Sequence, residues 1–295
     1  MNLLYESMKP KVSICIPAFN QPKFLLRTLR SIMIQTYEDF EVIITDDSPG
    51  DLVENAVGEL LPNPKLIYYK NRKTLGTPEN WNRALKLARG EYIKFLHHDD
   101  WFTDQNGLDV FVNALEQNPG SDFAFSSCFA CDINGKVKFT HSAMEQQITL
   151  LRQSPYNLYP HNFIGAPSVT FFRRKEGKYF DPLLKWVVDI DLYINLLSGN
   201  KDFVFLPEPL VSINSGSDSQ VTSECTNNRD IEVFEWLYLF FKLKSSYKVK
   251  YKNLKFIGFL LEKHQIRSVA DLHRLKEIEK LSKIVTALLF FKKIF

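Results

Sequence analysis

The sequence predicts an α/β domain built around a largely parallel β-sheet. Three observations predict it. Short apolar runs rich in β-branched and aromatic residues alternate with segments of helical period between Val12 and Trp101. Several of these runs end in polar and acidic clusters, the position at which open α/β sheets take ligands. The 295 residues are 45% hydrophobic, 24% charged and include 24 Phe, enough for a proper core and unlike a disordered or collagenous chain.

The elements follow in order. Val12–Pro17 (VSICIP) reads as a buried strand, and Phe24–Thr36 has helical spacing with Leu25, Leu29, Ile32 and Met33 on one side. Phe40–Thr45 is the second strand and runs into Asp46-Asp47-Ser48-Pro49-Gly50, a turn-rich loop. Asp51–Leu60 reads as a helix, Lys65–Tyr69 as the third strand, and Glu79–Ala88 as a helix closed by Gly90. Tyr92–Leu96 is the fourth strand and leads directly into His97-His98-Asp99-Asp100-Trp101. Asn20, the Asp46-Asp47 pair and the His97–Asp100 cluster thus converge on one rim. Beyond it come a helix (Gly107–Gln117), a strand (Phe123–Cys128) and an irregular stretch over Thr140–Pro160. Gly165-Ala166-Pro167-Ser168 precedes a strand at Val169–Phe172; Asp189–Leu197 reads as a helix and Phe203–Leu206 as a short strand. Asn214–Asn228 is a polar loop, and from Ile231 onward two or three Lys-rich amphipathic helices are expected.

Met1 to Pro10 contains no signal-peptide core, and no stretch reaches the roughly 18 apolar residues of a membrane span, so a cytoplasmic chain is expected. Cys128 and Cys131 have metal-like spacing, but no second Cys pair or His pair accompanies them, which favours buried thiols on an apolar strand. The formal charge of +3 divides unevenly: residues 242–295 hold 14 Lys or Arg against 4 Asp or Glu, and residues 1–241 hold 23 against 30.

Asp99 and Asp100 offer hard oxygens of the kind that hold Mg²⁺ or Mn²⁺ and bridge them to phosphates, although either residue can equally cap the next helix. Paired His97 and His98 also suit a metallohydrolase, a reading that no further His-rich motif supports.

Three segments together, VSICIPAFNQPKFLLRTLRSIMIQTYEDFEVIITDDS, LGTPENWNRALKLARGEYIKFLHHDDWF and VVDIDLYINLL, make the chain resemble a family 2 glycosyltransferase of the GT-A fold over roughly residues 11–222. The resemblance implies transfer of a sugar from a nucleotide-sugar donor to an acceptor hydroxyl with inversion. It places Pro17, Phe19 and Asn20 against the nucleobase, Asp47 (with Asp46 beside it) on the base, and Gly76 and Asn82 around the nucleotide. Asp99 matches the metal-coordinating last acid of the family's DxD motif, which implies a divalent cofactor, Mn²⁺ or Mg²⁺. His97, followed by His98, stands where many relatives carry an acid; imidazole can still donate to a ribose or phosphate or ligate a transition metal. Asn214 and Gly216 stand where relatives often carry Arg and His in a closing loop.

Asp189 matches the acid that serves as general base, taking the acceptor proton as the new bond forms, and it is also well placed to cap the helix after it. Asp191, two residues on, points to a different side of that helix. Gly165, Pro167 and Ser168 resemble an acceptor-side loop, or only shape a turn; Trp186, Trp101 and Tyr156 suit sugar stacking or the core. No QxxRW-type signature follows the base, which argues against a polymer-extruding synthase.

The expected organisation is a catalytic domain over 1–228, with a nucleotide half near 11–101 and an acceptor half near 102–222, then a basic amphipathic helical tail over 229–295. The expected partners are a nucleotide sugar, a saccharide or lipid-linked saccharide acceptor of the surface-polysaccharide kind and, for the tail, either an anionic membrane surface or the catalytic domain or a partner subunit on which its helices pack. Alternatives are a catalytically silent sugar- or nucleotide-binding module and a nucleotide-dependent oxidoreductase. The oxidoreductase lacks its G-x-G-x-x-G turn, since Pro-Ala-Phe-Asn follows the first strand. No aromatic-basic motif points to nucleic acid.

Overall fold

In the computed structural model, which describes residues 9–58, 60–61, 63–215, 224–244 and 251–275, the first apolar runs form the centre of a mixed sheet. β1 (Val12–Ala18) is buried throughout because it lies between two parallel neighbours, β2 (Phe40–Asp46) and β4 (Tyr92–Phe95). β3 (Leu66–Lys70) pairs with the far side of β2. Among the described residues the sheet has nine strands. β4 is followed across it by β8 (Thr170–Arg173), β6 (Phe123–Cys131), β9 (Phe203–Asn214) and β5 (Trp101–Phe102). β7 (Val137–His141) forms a hairpin with β6.

Alternation along the strands divides the core between the two faces. Ile14, Ile16, Val42 and Ile44 pack with Leu25, Leu29 and Ile32 of α1 (Pro22–Met33) and Phe111 of α4 (Gly107–Glu116). Cys15, Ile43 and Phe95 face the other way, toward α3 (Glu79–Leu87) and α6 (Val188–Gly199). α2 (Leu52–Gly58) follows β2 and buries Val53 and Val57 on the α1 side. All four cysteines are free thiols and buried, with Cys128 and Cys131 both on β6.

Three differences from the sequence reading have physical causes. The stretch expected to be irregular holds α5 (Glu145–Gln153), whose only buried residue is Leu151, so its apolar period is too weak to read. β9 is far longer than the run at Phe203–Leu206 and continues through Pro207 and Pro209. Register shifts between Ser126, Ser127 and Cys128 of β6 absorb the extra residues there, and bulges are where a sheet tolerates proline.

The third difference lies at residue 228, where no break in packing occurs. α7 (Arg229–Lys244) buries Val233, Phe234, Trp236, Leu237, Leu239 and Phe240 in the same core as α6, and α8 (Tyr251–Lys263) adds Ile257 and Leu260. α9 (Val269–His273) adds Leu272. The expected tail is therefore core at its start; its Lys-rich end after residue 275 and the expected closing-loop residue Gly216 lie outside the described residues. No helix among the described residues is long and apolar enough to cross a membrane.

Candidate active site

The ends of β1 and β2 are stitched to each other. Asn20 and Gln21 take left-handed backbone angles (φ 53° and 55°) that reverse the chain ahead of Pro22, and the Asn20 N–H donates to Ser48 Oγ at 2.7 Å. Pro17 is buried within β1, while the Phe19 ring is 47% exposed at the rim. Asp47, the residue after β2, uses Oδ1 to accept Asn71 Nδ2 and the Leu75 N–H, both at 2.7 Å, and Oδ2 to accept the Gly76 N–H at 2.7 Å. Gly76 has φ of 78°, a conformation that a side chain would strain, so glycine lets the loop close on the carboxylate. Oδ2 keeps room for a further donor.

Two expected nucleotide residues have other duties. Asp46 is fully buried, with Oδ1 accepting the Ser48 N–H at 2.9 Å and Ser48 Oγ at 2.5 Å, and Oδ2 accepting Tyr68 Oη at 2.7 Å and Lys70 Nζ at 3.0 Å. Its oxygens are occupied because Asp46 still belongs to β2 and pairs with Lys70 of β3. Asn82 is buried and clamps the Phe180 backbone, donating to its carbonyl and accepting its N–H, each at 2.8 Å. It braces α3 instead of lining a pocket.

The turn after β4 is held from three directions. Thr28 Oγ1 on α1 donates to the carbonyls of His98 (2.8 Å) and Asp100 (2.7 Å). Arg27 donates to the Asp99 carbonyl at 3.1 Å, with its guanidinium 3.7 Å above the Trp101 ring, so one face of that indole is covered. The Asn214 N–H at the end of β9 donates to Asp100 Oδ1 at 3.1 Å. Asp100 is buried, and loss of water together with Asp99 beside it raises its pKa well above the usual carboxylate range. Burial likewise pushes Lys94, whose Nζ donates to the Ser168 carbonyl, down to about 7. His97 packs on Trp81 at 4.7 Å between ring centroids, and burial lowers its imidazole to about 4, leaving it neutral.

Asp99 differs from its neighbour. It is only partly buried, and Oδ2 has one long contact, with Asn214 Nδ2 at 3.5 Å. The Nε2 atoms of both His97 and His98 are buried without a hydrogen-bond partner. Among the described residues no three His, Cys, Asp or Glu side chains converge as a complete metal cage. The residues therefore fit a hard divalent cation held by Asp99 with its other ligands drawn from a bound diphosphate and water, the usual habit of Mg²⁺ and Mn²⁺.

Loop 162–168 links this turn to the N-terminus of α6. At one end Ser168 Oγ accepts the His97 N–H at 3.0 Å and also hydrogen-bonds Asp100. At the other end Asn162 Nδ2 donates to Asp189 Oδ2 at 2.7 Å, while Asn162 Oδ1 accepts the N–H groups of Ile164 (3.1 Å) and Gly165 (3.0 Å). Gly165 has φ of 110°, and its carbonyl accepts Tyr193 Oη at 3.0 Å. Asp189 Oδ1 takes the Ile190 N–H at 2.8 Å; the N-cap position is Val187, so Asp189 lies within the first turn of α6 and is not the cap that its place before an apolar run suggested. Burial nevertheless outweighs these bonds and raises the carboxyl to about 7.

The remaining expected acceptor residues turn inward. Pro167 and Ser168 are buried and shape the wall. Asp191 is buried against α7, its Oδ2 accepting Lys242 Nζ at 2.8 Å. Trp186 packs edge-on to Trp236 at 6.1 Å. Arg27, Trp81, Asn162 and Glu235 were not singled out in the sequence, because each acts on a partner remote in the chain and carries no local signature.

The chain matches the family model described as Glycosyl transferase family 2 over residues 13–178. It is 29% identical over 193 residues, 64% of its own length, to WcaA of Escherichia coli (strain K12), which carries the name of a colanic acid biosynthesis glycosyl transferase; the match spans 66% of that relative. Among solved structures it is similar to S. aureus TarS 1–349 in complex with UDP-GlcNAc, with a TM-score of 0.63 at 17% identity over 92% of this chain and 76% of that one. It is also similar to the mannosyltransferase PcManGT of Pyrobaculum calidifontis in complex with GDP-Man and Mn²⁺, with a TM-score of 0.60 at 15% identity over 97% of this chain and 81% of that one.

Proposed function

The chain belongs to glycosyl transferase family 2 and is a glycosyltransferase of GT-A fold; from this premise we propose that it moves a sugar from a nucleotide-sugar donor to a hydroxyl of a saccharide or lipid-linked saccharide, inverting the anomeric centre. One observation carries the proposal: loop 162–168 joins a carboxylate of raised basicity, Asp189, to the turn bearing the uncommitted Asp99.

The steps assigned to this chain follow from those positions. Asp47 Oδ2 accepts from the base of the donor, and Phe19 and Asn20 lie against it, with the Gly76 loop closing beside them. Asp99 faces the diphosphate. Asp99 would hold a divalent cation, which would supply positive charge on the leaving-group side. Asp189 accepts the proton of the acceptor hydroxyl as its oxygen attacks the anomeric carbon from the side opposite the leaving group. A pKa near 7 suits that task, since about half of the carboxyl groups are ionised at neutral pH and the ionised form is basic enough to bind the proton. Asn162 keeps the carboxylate aimed, and the buried wall of Pro167 and Ser168 limits water. The name of the E. coli relative supports a place in surface-polysaccharide synthesis.

The test is a screen of nucleotide sugars for binding and turnover, with and without Mn²⁺, using Asp189→Asn as control. Asp189→Asn should lose transfer by at least about a hundredfold while nucleotide affinity stays within about twofold. Near-normal turnover in this variant removes the assignment of the base.

A further inference from the structure

α7 lies beyond the segment matched by the family model, yet it reaches the turn that carries Asp189. Glu235, 3% exposed, lays its carboxylate across the backbone just ahead of that residue. Oε1 accepts the Lys185 N–H at 2.9 Å, and Oε2 accepts the N–H groups of Trp186 at 2.8 Å and Val187 at 3.0 Å. Val187 stands at the N-cap of α6 and has no capping side chain of its own to offer. These three donors belong to the segment that leads into α6 and to its N-cap residue, so Glu235 ties down the approach to the helix.

The same stripe of α7 makes a second tie. Tyr238 and Lys242, three and seven residues after Glu235, share its side of the helix. Tyr238 Oη donates to Asp181 Oδ2 at 2.8 Å, and Lys242 Nζ donates to Asp181 at 2.6 Å and to Asp191 at 2.8 Å. Segment 181–191 is therefore held on both sides of Asp189, with Glu235 bound to the backbone of residues 185–187 ahead of it.

We propose that Glu235 is a positioning residue for glycosyl transfer, fixing the backbone that leads into α6 so that the Asp189 carboxylate, steadied by Asn162, meets the acceptor hydroxyl. This rests on Asp189 being the base. Glu235 also acts through charge. Its carboxylate is a like charge acting on Asp189 from α7, while Tyr193 of α6 and Asn162 of loop 162–168 are its other neighbours; Lys185, paired with Glu224, acts on Glu235 with the opposite sign. Replacing Glu235 by a neutral amide removes the like charge and makes Asp189 easier to ionise.

The experiment compares the full-length wild type with Glu235→Gln and Asp189→Asn. ¹³C-carboxyl NMR reads the Asp189 titration, assigned by the signal missing in Asp189→Asn, and needs no substrate. Glu235→Gln should lower the Asp189 midpoint by about half a unit or more. With the sugar nucleotide found in the screen, kcat should fall about ten- to a hundredfold while UDP or GDP affinity, whichever binds, holds within about twofold. An unchanged midpoint together with wild-type kcat overturns the proposal and leaves Glu235 as a structural stitch. Active Asp189→Asn overturns instead the reading of the base. Amide exchange in the wild type covers the case in which Glu235→Gln does not fold. Lys185, Trp186 and Val187 should exchange as slowly as the buried stretch of α7, and fast exchange at these amides overturns the proposal.

Discussion

Two pairs of acids, Asp46 with Asp47 and Asp189 with Asp191, show how neighbouring carboxylates acquire different chemistry. In each pair one member is consumed by the fold: Asp46 by Ser48, Tyr68 and Lys70, and Asp191 by Lys242. The other is held by loops and turns, Asp47 gathering the 75–76 loop and Asp189 bonded to Asn162 and to its own helix turn. The raised carboxyl of Asp189 sets a pH dependence. As the base it must be ionised, so kcat/KM should fall about tenfold for each unit below its pKa of about 7 and flatten above it. A pH–rate profile checks this; a rate that stays constant down to pH about 5 contradicts it.

At the scale of elements, the segment from Asn162 to Ser168 does more than join two strands. It carries the hydrogen bonds that place Asp189 at one end and the His97–Asp100 turn at the other. Gly165 makes this possible, since φ of 110° is open to glycine and strained for other residues. A Cβ there would also sit 3.4 Å from the His141 ring, at ordinary contact distance, so the conflict is one of backbone and not of space. Gly165→Ala should therefore lower stability by about 1–3 kcal/mol, and its activity should fall more than its nucleotide affinity. Denaturant midpoints and paired binding and turnover measurements test this; a variant as stable and active as the wild type contradicts it. The Gly-Ala-Pro-Ser run was visible in the sequence as a shaped turn, but the inward direction of Ser168 was not. That direction follows from β8 running antiparallel to β4, which sets the start of one against the end of the other.

At the scale of the whole molecule, the C-terminal helices belong to the core that supports the site. α7 contributes Trp236, Leu237, Leu239 and Phe240 to the cluster that holds Tyr193 and Ile190 of α6. A chain ending at residue 228 would expose this surface and leave the Lys185, Trp186 and Val187 donors without Glu235. Expression of residues 1–228 should give aggregated or unfolded protein rather than a trimmed transferase, measured by circular dichroism and nucleotide binding. A folded 1–228 chain that binds nucleotide at wild-type affinity contradicts this.

The apolar runs from Val12 to Phe95, and the polar clusters that end them, determined by themselves the parallel half of the sheet and the polar rim at its strand ends, because strand period and turn chemistry are local properties. The roles expected of Asp99 and Asp189 came instead from the family resemblance of the LGTPENWNRALKLARGEYIKFLHHDDWF and VVDIDLYINLL segments. Tertiary structure alone decided which acids remain available, that Asn82 braces Phe180, that α7 is core, and that Glu235 holds the backbone leading into α6. Each of these depends on a partner tens of residues away, and the desolvation that raises Asp189 is produced by chain segments that meet only once the sheet and its helices have packed.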